Sequence, residues 1–225
     1  MPERSAVRSG AGRADNRRAE TRERILAATV RTLAELGFAR TTARSIAKAG
    51  GFTAGVIYYH FADLEELFVA TAEYTSHGRI ARYTEQLDGV TSSFETVHRL
   101  RLLYAEDSGS GHIAAVQELM AAATAGSRLA DQVRIETIHW QQLAEQTLRR
   151  LLDGSPFAAF VPVRELAAGA VAMYLGMELL SHLGALSHLG ETEPGSTWVA
   201  GATGPDALFE AAARAAPMID ALRGS

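Results

Sequence analysis

Residues 20–68, ETRERILAATVRTLAELGFARTTARSIAKAGGFTAGVIYYHFADLEELF, decide how this chain folds. Apolar residues recur at helical spacing through Ile25, Ala28, Leu33 and Leu36. Gly37 stands where the C′ residue of that helix is expected, with Phe38 packing behind it. Thr42 is placed to cap a short second helix carrying Ile46 and Ala47, and Thr53 to cap a third carrying Val56 and Ile57. The break Gly50-Gly51-Phe52-Thr53 separates the two by about one turn, the mark of a helix-turn-helix whose second helix fits a DNA major groove. Asp63, with Glu66 three residues on, predicts a capped start to a long fourth helix ending near Leu87.

Ile25, Leu33, Leu36, Ile46, Ala47, Ile57, Tyr58, Phe61 and Leu67 are the expected core of this unit. Thr53, Ala54, Gly55, Val56 and Tyr59 are expected to face outward on the third helix, with Tyr58 counted on the DNA side as well. Thr42, Arg44, Tyr59 and His60 are the expected phosphate contacts, helped by helix N-terminal N–H groups. Arg13, Arg17 and Arg18 can add backbone or minor-groove contacts.

Outward from this unit, the chain is 225 residues long with a net charge of −4. Residues 1–62 hold 11 Lys/Arg against 5 Asp/Glu, net +6, and residues 63–225 hold 11 against 21, net −10. A basic head on an acidic body points to a polyanionic partner for the head alone. Residues 1–16 show no apolar period and read as a disordered basic arm. Cysteine is absent, which removes disulfides and thiolate metal sites and fits a cytoplasmic setting. The start lacks the apolar stretch of a secretory signal, and Glu178, Ser181, His182 and several glycines interrupt the most apolar run, so no membrane partner is expected.

Beyond Leu87 only helical periods appear, over roughly 93–106, 112–125, 128–153, 162–189 and 205–222. The loop Gly190–Pro205 is long for a structureless connection, and its Trp198 is expected to pack against something. The fold class is therefore all-α: an arm over 1–16, a three-helix helix-turn-helix DNA-binding domain over 17–62, and a helical bundle over 63–225.

The run Ile25 to Leu67 resembles the N-terminal signature of TetR-family transcriptional regulators. Ile25-Leu26 with Ala28, Gly37-Phe38, Thr42, Ile46-Ala47, Gly51-Phe52-Thr53, Gly55, Ile57-Tyr58-Tyr59-His60-Phe61 and Glu65-Glu66-Leu67 carry the resemblance. It implies that residues 63–225 are a ligand-binding and dimerisation domain, with a homodimer built by the last two long helices, a double-stranded palindromic operator and a small-molecule effector whose binding releases a repressor. The same fold serves an activator. Two positions depart from the family. Leu64 stands where a Lys usually meets phosphate, and Ala54 where the third helix often begins with a polar residue. Fewer phosphate contacts are expected there, with Ala54 and Val56 suited to thymine methyls.

Tyr74, Leu103, Tyr104, Glu118, Met120, Trp140, Leu143, Met173, Tyr174 and Met177 combine bulk with a few polar tips, and are the expected lining for a partly apolar effector. Each is equally a core residue by type. Glu118 and Glu178 lie on apolar helices and each needs a partner, such as Arg101 or the ligand. Leu175, Leu179, Leu183, Leu186, Phe209 and Met218 are the expected dimer contacts.

His139, His182 and His188 form no pair at helical ligand spacing, so no metal is expected. Gly109-Ser110-Gly111 lacks the Gly-Lys-Ser/Thr of a phosphate loop, and Ser181-His182 and Ser187-His188 are neighbours in sequence rather than a triad. No cofactor and no enzymatic activity are expected. The alternative from another class is a helical binding module or enzyme whose helix-turn-helix does not bind DNA.

Overall fold

The structure, a computed structural model, describes residues 3–156, 158–182, 184–186 and 205–221, with the side chains of 3–14, 182 and 219 left out. Leu183, His188, Trp198 and the loop 190–204 lie outside the described residues, as does the Arg13 side chain. Among the described residues all regular structure is helical: α1 (Glu3–Leu36), α2 (Ala43–Gly50), α3 (Ala54–His60), α4 (Leu64–Leu87), α5 (Ser93–Gly109), α6 (His112–Ala122), α7 (Arg128–Leu152), α8 (Val163–His182) and α9 (Pro205–Ala221), with a short 3-10 turn at Phe38–Arg40. No described helix is long and apolar enough to cross a membrane.

Two compact units result, one of Met1–Thr75 with Ala114–Gln132, the other of Ser76–Ile113 with Val133–Ser225. This division differs from a cut at 62/63. The reason is that α4 supplies Leu67 and Ala70 to the core formed by Ile25, Leu26, Ala28, Ile46, Ala47, Ile57 and Phe61. Of the expected core, Leu36 is only half-buried and Tyr58 is exposed. The arm reading also changes, because α1 runs back through residues 3–16. Arg and Ala are good helix formers, and no proline follows Pro2 in the segment, so a helix nucleated downstream extends through it despite Gly10 and Gly12.

Local chemistry sets the ends of the elements. Gly37 ends α1 at φ 77 and ψ 165, a region essentially closed to other residues, while its N–H still reaches Leu33 O at 2.9 Å. Thr42 and Ser45 cap α2 reciprocally: Thr42 Oγ1 accepts Ser45 N–H, and Ser45 Oγ accepts Thr42 N–H at 2.8 Å. Asp63 accepts Glu66 N–H at 2.7 Å, and the Glu66 carboxylate accepts Ala62 N–H at 2.7 Å, as a capping pair should. Thr53 holds the N-cap position of α3 but makes no side-chain cap bond.

In the second unit α5 and α9 run antiparallel. Asp220 near the end of α9 accepts Ser93 N–H at 2.9 Å and the Ser92 hydroxyl at 3.1 Å at the start of α5, while Arg101 further along α5 pairs with Asp206 and Glu210 early in α9. Arg101 is thus committed to α9 rather than to Glu118 or Glu178. Helix α8 stops at His182, short of the expected 189. Ala185 N–H bonds to Leu180 O and Gly184 N–H to Ser181 O, a glycine-terminated helix end.

Candidate nucleic-acid interface and effector site

The turn between α2 and α3 is built for close approach. Gly51 takes the left-handed conformation at φ 69, and its N–H and that of Phe52 both bond to Ala47 O. A Cβ on Gly50 would collide with the Phe52 ring, so the ring lies directly on the turn. Helix α2 buries Ala43, Ile46 and Ala47 and leaves Arg44 and Lys48 in solvent. Helix α3 buries Ile57 and exposes Thr53, Gly55, Tyr58 and Tyr59, the last 72% exposed. His60 is half-buried. The Arg18 guanidinium sits 5.8 Å from the centre of the Tyr59 ring, and that of Arg22 lies 5.1 Å from Phe61. Burial, then Arg18 and Arg22, hold His60 below the usual imidazole range.

The second unit contains a buried polar cluster. Asp107 is fully buried and receives Arg79 Nε at 2.6 Å, the Tyr83 hydroxyl at 3.0 Å and the Arg82 guanidinium. Arg79, also buried, donates to the Tyr174 hydroxyl at 2.8 Å and lies 5.0 Å from the centre of the Trp140 ring. Burial and then the Asp107 charge push the Tyr83 phenol up to about 12. One turn beyond Tyr174, Glu178 is 2% exposed and its Oε1 has no hydrogen-bond partner among the described residues. Burial pushes its carboxyl up to about 7, against the pull of Tyr174 and Arg79. Tyr104 stacks edge-on to Tyr174 at 6.0 Å and packs on Phe209 at 5.4 Å. A separate open groove of about 210 Å3 is lined by Arg82, Gln86, Arg99, Leu102, Leu103 and Glu106.

Residues 25–71 match the family model described as bacterial regulatory proteins, tetR family. Over those residues the chain is similar to that family. The HTH-type transcriptional regulator Rv2912c of Mycobacterium tuberculosis is 26% identical over 118 residues, 52% of this chain and 60% of that protein. The HTH-type transcriptional regulator TtgR of Pseudomonas putida is 40% identical over 73 residues, 32% of this chain and 35% of that protein. The match therefore spans well under two thirds of either relative. In fold, a TetR-family transcriptional regulator from Rhodococcus sp. superposes with a TM-score of 0.68 at 20% identity, over 89% of this chain and 98% of that one.

Several expected site residues lie elsewhere than expected. Ala54 and Val56 are half-buried and pack against the first core, as does Leu64, so both join buried Ile57 on the core side of α3 while Tyr58 turns out. The Thr42 hydroxyl is engaged in its cap. Of the expected effector residues, Tyr74 packs against the first core and Glu118 accepts Phe38 N–H at 2.6 Å, both in the first unit, where Met120 also falls. Leu103 and Leu143 form a core cluster with Tyr83, and Trp140 packs on it. Met173 is exposed and Met177 half-buried. Tyr174 and Trp140 sit beside buried Arg79, and Tyr104 stacks on Tyr174. Leu179 and Met218 are exposed and Leu175, Leu186 and Phe209 half-buried. Sequence reasoning missed Ser45, Lys48 and Arg22 near the DNA face and Arg79, Asp107 and Tyr83 in the cluster. Arg18 and Arg22, four apart on α1, carried a signal through their shared helix face. The Arg79–Asp107 pair carried none, being 28 residues apart on different helices.

Proposed function

We propose that this chain is a ligand-responsive transcriptional repressor that binds a palindromic operator as a homodimer and is released by a small-molecule effector. The observation that carries the reading is the helix-turn-helix face, on which Arg44, Thr53, Gly55, Tyr58 and Tyr59 stand in solvent over a fully packed core. Tyr58, Tyr59 and Arg44 reach phosphates and base edges, and Arg18 and Arg22 extend the positive charge along α1. The base-reading surface is polar and aromatic, since Ala54 and Val56 face the core.

Two copies are needed to match an operator of two-fold symmetry. Leu166, Met173, Leu179 and Leu180 on α8 and Leu208 and Met218 on α9 are large apolar side chains left exposed in one copy. They form the dimer face, joined by the half-buried Leu175 and Phe209. The effector binds in the second unit at Tyr104, Tyr174 and Glu178, where a buried carboxylate oxygen lacks a partner among the described residues and can accept a hydrogen bond or pair with a cation. Effector binding favours the state that does not bind DNA, and the ratio of its two affinities sets the switch.

The test is a ligand screen by thermal shift on the full chain, followed by operator binding with each hit. A hit that stabilises wild type, fails to stabilise Glu178→Gln and weakens operator binding supports the reading. A hit that is chemically converted supports an enzyme instead, and one that tightens operator binding reverses the direction of control.

A further inference from the structure

We propose that His77, Glu136 and His139 form a binding site for a divalent transition-metal ion of the zinc class, pinning α4 to α7 within the second unit. His77 projects from α4, and Glu136 and His139 from α7. Their ligand atoms all lie within 4.8 Å of one another. His139 Nδ1 stands 3.2 Å from Glu136 Oε2, and His77 Nε2 stands 3.8 Å from the same oxygen. The two imidazole rings are 5.8 Å apart, centre to centre.

These distances suit a shared ion. With zinc–ligand bonds of about 2.0–2.1 Å in a tetrahedron, ligand atoms stand about 3.3 Å apart. Two imidazoles and a carboxylate make a nitrogen and oxygen donor set of borderline hardness, which fits Zn2+, Co2+ or Ni2+ better than Mg2+ or Ca2+. Glu136 is 6% exposed, so its charge is held in a poorly solvated place, whereas the His77 side chain is 54% exposed and gives the ion a route in. Spacing on α7 supplies the rest. Glu136 and His139 are three residues apart and therefore share a face, the carboxylate–imidazole arrangement by which helical bundles hold metals. Three protein ligands leave a fourth position for water or an exogenous ligand.

Histidine spacing along single helices does not reveal this site, because the second histidine comes from another helix and the partner on α7 is a glutamate. The site shares no residue with the cluster at Tyr104, Tyr174 and Glu178.

The test uses the full chain, freed of metal with a chelator, and titrates Zn2+ by calorimetry and Co2+ by visible absorption. Wild type should bind one ion per protomer, and bound Co2+ should show the intense visible bands of a tetrahedral site. His77→Ala and His139→Ala should each lower affinity by at least the roughly 10–100-fold that loss of a mere outer-shell partner costs. His77→Ala alters an exposed side chain, so it should keep the fold, and its thermal midpoint should no longer rise with Zn2+. His98→Ala, exposed on α5, should bind as wild type does. No saturable binding to wild type, or binding unchanged in His77→Ala and His139→Ala, would overturn the proposal and leave an imidazole–carboxylate cluster held by hydrogen bonds alone.

Discussion

The Glu118 carboxylate on α6 accepts the backbone N–H of Phe38 at 2.6 Å, just past the end of α1. The same carboxylate lies 3.3 Å from where a Cβ on Gly37 would stand. Gly37 ends the helix that supports the DNA-reading face, and Phe38 packs its ring 4.9 Å from Phe68 of α4. One side chain of α6 thus fixes the junction of α1 and α4. Helix α6 itself begins with His112 and Ile113, which belong to the second unit.

Replacing Glu118 with Ala should destabilise the fold by about 1.5–3 kcal/mol, the range for a hydrogen bond to a charged group. Gly37→Ala should cost about 1–3 kcal/mol, because its backbone lies in a region essentially reserved for glycine. Urea denaturation of both variants measures these losses. Because the two residues touch, the double variant should lose less than the sum of the singles.

Leu64→Lys tests the departure from the family at the start of α4. Leu64 packs against the first core, so the variant loses apolar contact while its long stem can carry the ammonium outward. Operator binding should become more salt-dependent, with the slope of log K against log salt steeper by about 1. Slopes measured by anisotropy across a salt series decide it.

Arg44→Ala should weaken binding to specific and random duplexes alike and make the salt slope shallower by about 1, as expected for a lost phosphate contact. Tyr59→Ala should weaken the specific duplex more than the random one, because Tyr59 lies on the recognition helix. Both side chains are exposed, so melting temperatures should match wild type.

Glu178 gives the fold a pH dependence with a definite sign. Its carboxyl titrates near 7 in the folded chain, against an ordinary value of 4.5. The folded state holds this proton more tightly, so the contribution is fully present below about pH 4.5 and is lost as pH rises through about 7. Between about pH 5 and about pH 7.5, wild type should lose on the order of 2–3 kcal/mol of stability relative to Glu178→Gln. Paired urea titrations at the two pH values measure the difference.

Much of the fold was legible because capping chemistry is local. Gly37, Thr42 with Ser45, and Asp63 with Glu66 mark helix ends through bonds spanning a few residues. Helix α8 was overrun because Gly169 and Gly176 lie inside it, so a further glycine at 184 did not stand out as a stop. The facing of α3 was misread for a different reason. Seven residues make about two turns, too few for the apolar period to choose between Val56 and Tyr58 as the inward side chain. The buried polar cluster was half legible. Tyr104, Tyr174 and Glu178 announced themselves as bulky or charged residues on apolar helices, but the Arg79–Asp107 pair that organises them depends on how α4 meets α5. The same dependence on tertiary pairing hid His77 from Glu136 and His139.

Sequence-specific DNA binding through the α2–α3 face is the central claim, and selection from a random duplex library tests it most directly. The purified full chain is incubated with the library and the retained fragments are sequenced, with the Arg44→Ala/Tyr59→Ala double variant in parallel. Wild type should enrich an inverted repeat, and the folded double variant should enrich no sequence above its input. No enrichment by wild type, or the same repeat recovered by the double variant, would contradict the account.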